Sequence, residues 1–153
     1  MIELSEFSLG ASSSYGQELQ GNSQLFRNNI PVPLHLEGSV LRHQFETASG
    51  YLFITDHDCP FEEMTHITLC TPDFRLLSRR WLGWPYCSFN LERIEWQDAS
   101  HMMLEFSPED RWMLSIRPWG IPYLRPRLGL SRMSGTATAH QAAPDVVVKN
   151  TFS

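Results

Sequence analysis

Between Leu34 and Pro118 the apolar residues come in short runs cut by turn residues. The last three runs keep a two-residue beat: Phe89 and Leu91; Met102, Leu104 and Phe106; Trp112, Leu114 and Ile116. A period of two belongs to an extended strand with one face in a core. Gln97 to Ser100 and Ser107 to Asp110 are tight links between these runs. Setting Phe106 opposite Trp112, Leu104 opposite Leu114 and Met102 opposite Ile116 aligns every large side chain on one face. The first of the three strands steps from Leu91 to Ile94 and Trp96, which predicts a bulge near Glu92 or Arg93.

Upstream, Ile2, Leu4, Phe7 and Leu9 predict one strand with a bulge near Glu6, and Gly10 to Asn29 reads as a loop or loose segment rich in Ser, Gly, Gln and Asn. Ile30-Pro31-Val32-Pro33 is an extended lead-in to a run from Leu34 to Phe45. The turn Thr47 to Gly50 then folds this run onto Tyr51 to Thr55 as a hairpin. Cys59 could cap one helical turn begun by Pro60, and Thr65, Ile67 and Leu69 make a further strand. Asp73 to Gly83 carries helix punctuation, but Thr71-Pro72-Asp73-Phe74 is equally a turn returning Leu76 beside the Ile67 strand, and the hairpin is the preferred reading.

The fold expected is all-β, or a β-dominated α+β: an antiparallel meander forming a sandwich or a partly open barrel of six to nine strands, with at most one or two short helices. One β-rich domain spans residues 1–130. Residues 131–153 are expected to be a flexible tail, with an edge strand at Val146 to Val148 as its one patterned element.

The 153 residues, 42% hydrophobic and 19% charged, suit one domain that buries roughly 70% of its unfolded surface. Apolar stretches run three or four residues, as at Tyr51 to Ile54, so no membrane-spanning helix is expected. The acidic start Met1-Ile2-Glu3-Leu4-Ser5-Glu6 lacks a secretory pattern and predicts a cytoplasmic site. Cys59, Cys70 and Cys87 fit neither a disulfide framework nor a paired metal motif and read as reduced thiols. Eleven Arg against one Lys suggest a GC-rich, bacterial coding background.

Charge divides the chain. Residues 1–110 hold 16 acids and 6 Arg, net −10, while residues 111–153 hold one acid and six bases, net +5. An acidic body disfavours phosphate neutralisation and suits a basic partner.

No motif identifies a reaction. P-loop, G-x-G-x-x-G, G-x-S-x-G and H-E-x-x-H patterns are absent from the sequence, so no catalytic residue, metal ligand or cofactor is assigned. The densest polar cluster is Asp56-His57-Asp58-Cys59 with Glu62, Glu63 and His66, either a solvated turn or a polar site at a barrel mouth. Arg111, Arg117, Arg125, Arg127 and Arg132 interleave with Trp112, Trp119 and Tyr123, the composition of single-stranded nucleic-acid binders or of a Pro-rich strap. Trp84-Pro85-Tyr86 lies in a connection, where Trp and Tyr often anchor interfaces.

The resulting expectation is a small non-catalytic binding protein acting through protein contact. Trp84, Tyr86, Asp56, Asp58, Glu62 and Glu63 are its contact residues, and an immunity or antitoxin-like inhibitor of a basic effector is its most concrete form. A small-ligand-binding barrel or barrel enzyme using Asp56 to His66 is the alternative. A weak nucleic-acid contact through residues 111–132 is the third.

Overall fold

The computed structural model describes residues 1–10, 22–57, 64–83, 90–121 and 124–133, and these form twelve β-strands and no helix. Three antiparallel sheets result, none closed into a barrel, so the architecture is an all-β, sandwich-like one. The central sheet has the order β1 (Ile2–Glu3), β5 (Val40–Thr47), β6 (Gly50–Asp56), β7 (Met64–Cys70), β8 (Leu76–Gly83). A second sheet runs β12 (Leu128–Met133), β11 (Asp110–Ile116), β10 (His101–Ser107), β9 (Arg93–Trp96). The third is β2 (Phe7–Gly10), β3 (Asn22–Arg27), β4 (Ile30–Glu37).

Strand β6 explains the layering. Tyr51, Leu52, Phe53 and Ile54 are all buried, which a strand exposed on one face cannot be. Leu52 and Ile54 join Ile67, Leu69 and Leu82 in a core closed by Met102, Leu104, Trp112, Leu114 and Leu128 of the second sheet. Tyr51 and Phe53 turn the other way, into a second core with Phe7, Leu25, Val32, Leu34 and Leu36 of the third. The Phe7 ring stands edge-on to Tyr51 at 5.1 Å and to Phe53 at 5.0 Å. Each fully buried Leu, Ile or Phe contributes about 1.5–3 kcal/mol from removal of apolar surface from water.

The chain changes sheet at two places where a single run was expected. The N-terminal strand with a bulge at Glu6 is instead two strands: β1 pairs with β5, and β2 pairs with β3. The run from Leu34 to Phe45 is broken at Gly38, which has φ 104° and lies so close to β6 that a Cβ there would sit 2.7 Å from the Asp56 carbonyl oxygen. Only glycine accommodates both the dihedral and the approach.

The loop expected over 10–29 is corrected over its second half. Asn22–Arg27 is strand β3, joined to β4 by Asn28-Asn29, both at positive φ (49° and 64°), the two-residue connection that suits right-twisted hairpins. Residues 11–21 lie outside the described set. The hairpin reading of 73–83 holds, since Leu76–Gly83 is a strand paired with β7, with Phe74 at φ 64° in the turn.

The β10–β11 register differs from the expected one by two residues. Met102 pairs with Leu114 and Leu104 with Trp112, because a two-residue turn sets Ser107 opposite Asp110 and a bulge between Glu105 and Ser107 absorbs the remainder. The expected apolar face is kept. The strand expected from Phe89 begins in the described residues at Arg93. Strand β12 runs to Met133, three residues past the expected domain end, and pairs with β11 along its length. The remaining tail, with Val146 to Val148, is outside the described set, as is the helical turn at Cys59.

Candidate functional site

Alternation along β6 divides the polar cluster that looks continuous in sequence. Asp56 follows Ile54 on one face of the central sheet and is engaged by Arg42 Nε. Thr55 lies on the opposite face, where its hydroxyl donates to the Glu37 carbonyl. Its strand partner His66 shares that face and is 5% exposed. Of the six expected contact residues only Asp56 belongs to the described set, and it is held by an arginine rather than offered to solvent. Trp84, Tyr86, Asp58, Glu62 and Glu63 lie outside it.

His66 is the centre of a compact ionisable group. Glu37, the last residue of β4, places Oε2 2.9 Å from His66 Nδ1, a contact out of line with the ring N–H, and Oε1 3.9 Å from Arg79 Nη1. Arg79 Nη2 donates to the His35 carbonyl at 2.6 Å, and the His57 ring stands edge-on to His66 at 5.2 Å. His66 Nε2 and Arg79 Nε are buried with no hydrogen-bond partner among the described residues. Proximity to His66 is the main reason the Glu37 carboxyl sits below its ordinary 4.5, and partial burial opposes the shift.

A carboxyl with a folded value below its unfolded one adds stability above pH 4.5, and this is lost as pH falls through the lowered value. The urea midpoint of the wild type should therefore drop on acidification below about pH 4.5, and Glu37→Gln should flatten that drop. An unchanged slope in the variant would remove Glu37 from the acid response.

Seven carboxylates of the acidic body face an arginine among the described residues. Nine of its carboxylates contact an arginine or histidine: Glu3, Glu6, Glu37, Asp56, Asp73, Glu95, Asp98, Glu105 and Asp110. Two of these pairs, Arg111 with Glu105 and Arg132 with Asp110, join the basic segment to the acidic one. Cys70 is buried as expected of a small packing residue, and burial pushes its thiol up to about 12. No group of three or more His, Cys, Asp or Glu suited to a metal ion occurs among the described residues.

Among the described residues, the connection from β11 to β12 is the most exposed apolar feature. Arg117 N–H donates to the Arg127 carbonyl, and the Ile121 and Arg125 amides exchange hydrogen bonds with each other's carbonyls, so the segment is a hairpin extension rather than a strap across the sheet. Its tip presents Trp119 at 59% and Leu124 at 82% exposure beside Ile121, and the Arg125 guanidinium lies 5.3 Å from the Trp119 ring centre. The other exposed large apolar side chains among the described residues, Met1, Ile2, Ile30 and Met133, are at or beside strand ends. Of the five interleaved arginines, Arg111 and Arg132 pair with acids, while Arg117 and Arg127 bond backbone carbonyls at the hairpin base.

Sequence reasoning undervalued Trp119, and missed Leu124 and Glu37. A signal for the first two was present: Leu124 stands between Tyr123 and Arg125 in a stretch punctuated by Pro118, Pro122 and Pro126, where an apolar side chain has no strand face to join. Glu37 carries no such mark. No family model, curated protein or solved structure matches the chain. No helix among the described residues is long and apolar enough to cross a membrane.

Proposed function

We propose that this chain is a small non-catalytic binding protein that acts by protein contact, in the manner of an immunity or antitoxin protein that covers an effector. The observation that carries the reading is the hairpin tip, where an indole, a leucine and an isoleucine are held in water on a hydrogen-bonded two-strand base. Trp and Arg are among the residue types enriched at binding hot spots, and here Arg125 lies over the Trp119 ring. Residues 111–133 contain no acid, so the tip suits an apolar pocket rimmed by carboxylates. An effector recognised by its basic charge would use acids of residues 1–110, seven of which already face an arginine. Titrating the full chain with inactivated products of genes beside its own should yield one stoichiometric complex. If none of them binds, the immunity form of the reading falls.

A second reading, a small polar ligand at the His66 corner, is favoured by one observation: His66 is turned inward with a carboxylate at Nδ1. Nε2 is buried without a partner among the described residues and is left for a ligand or a proton. A small-molecule library that leaves the His66 and His57 ring resonances unmoved would remove it.

A further inference from the structure

Arg80 is the most buried charged side chain among the described residues, 4% exposed, and no carboxylate of those residues pairs with it. Its strand partner is Ile67, so it points into the core between the central and second sheets. Its Nη1 donates to the Arg79 carbonyl at 3.1 Å, and none of its nitrogens is both sealed from solvent and without a partner, so the guanidinium opens to water at the seam. A buried guanidinium normally has a carboxylate against it, because an uncompensated charge in a core is strongly destabilising.

The surroundings increase the positive charge. The Leu128 amide donates to the buried Ser78 hydroxyl at 3.4 Å, which fixes β12 beside β8. Arg117 is folded over the next residue of β12, so close that a Cβ on Gly129 would meet Arg117 Nη2 at 2.5 Å, and its Nη1 donates to the Pro126 carbonyl. The Arg127 guanidinium points elsewhere, to Ser49 Oγ and the Pro118 carbonyl. Burial, then the charge of Arg117, push Arg80 below its ordinary value, as two cations without an intervening anion must.

We infer that the seam between β8 and β12 is a site for a small oxyanion, a phosphate or a carboxylate, held by Arg80 and Arg117 with the Ser78 hydroxyl beside them. A planar guanidinium fork matches two oxygens of such an anion. The deep burial of Arg80 restricts the ligand to a free small ion. The site lies at the base of the hairpin that carries Trp119, and its occupancy would tie that base to the central sheet.

Thermal unfolding of the full chain in inorganic phosphate or in acetate, at ionic strength held constant with sodium chloride, tests this. Bound anion should raise the midpoint by about 5 °C and saturate. A response to phosphate alone marks the ligand as phosphate-like, and a response to both marks a general oxyanion site. Arg80→Met should melt at or above the wild type in phosphate-free buffer, since it removes an uncompensated charge, and should not respond to the anions. Arg117→Gln, at a less buried position, should lose most of the response and serves if the first variant does not fold. Arg132→Gln should keep it. A rise that never saturates and is equal in all variants is a general salt effect and overturns the site, as does the absence of a rise or a lower midpoint for Arg80→Met.

Discussion

Phe53→Ala is expected to lower the unfolding free energy by about 3–5 kcal/mol, a large share of the about 5–15 kcal/mol that holds a domain together. Phe53 is fully buried in the middle strand of the central sheet, and its ring faces Phe7 of the third sheet. Removing it leaves a void that Leu25, Leu34 and Leu36, themselves held in strands β3 and β4, can fill only in part. Urea unfolding followed by tryptophan fluorescence gives the difference, with Ile30→Ala, at an exposed position, within about 0.5 kcal/mol of wild type as the reference. The experiment also tests the layering. If the third sheet did not cover this face, Phe53 would be half exposed and its loss would cost no more than about 1.5 kcal/mol.

That layering was partly legible before any coordinates. A strand covered on both faces needs apolar residues at consecutive positions, and Tyr51 to Ile54 is the longest such run in the chain. The turn at Thr71 to Phe74 was legible for a different reason: Pro72 fixes a dihedral, and Asp73 and Thr71 bond to one another across it. The strand register was not. Sliding β10 past β11 by two residues leaves every side chain on its own face, so alternation cannot distinguish the expected pairing from the observed one, and only the bulge near Phe106 decides. The sheet change at Ser5 left a trace, the three-residue step from Leu4 to Phe7, but a bulge within one strand gives the same step, so the pattern alone does not separate the two.

The candidate sites follow the same division. Residues 56 to 66 looked like one cluster because they are near in sequence, but a pleated strand sends neighbours to opposite faces, so Asp56 meets Arg42 while His66 meets Glu37. The Glu37 contact depends on where β4 crosses the central sheet, a packing relation with no local trace. The charge asymmetry, by contrast, was legible as arithmetic, but which acids pair was not. Arginines on neighbouring strands pair with some of the acids once the strands lie side by side, as Arg111 does with Glu105 and Arg132 with Asp110.

On the hairpin tip, Trp119→Ala and Leu124→Ser should each weaken the proposed complex by about 2–4 kcal/mol, roughly 30- to 1000-fold in Kd. An indole seated in a partner's pocket loses its whole contact area when truncated, and a leucine exposed at 82% in the free protein gains most from being covered. Neither substitution should move the unfolding midpoint measurably, because both side chains are already in water in the folded state. Arg125→Ala should act differently: it removes the cation over the ring and slows association most at low salt. Affinity is measured by titration calorimetry and rates by stopped flow, with the wild type and Glu109→Gln, an exposed acid on the turn between β10 and β11, as references. If the tip variants lose stability in step with affinity, Trp119 and Leu124 are packing residues of the hairpin and the contact surface lies elsewhere. Unchanged affinity with unchanged stability would exclude the tip as the contact surface.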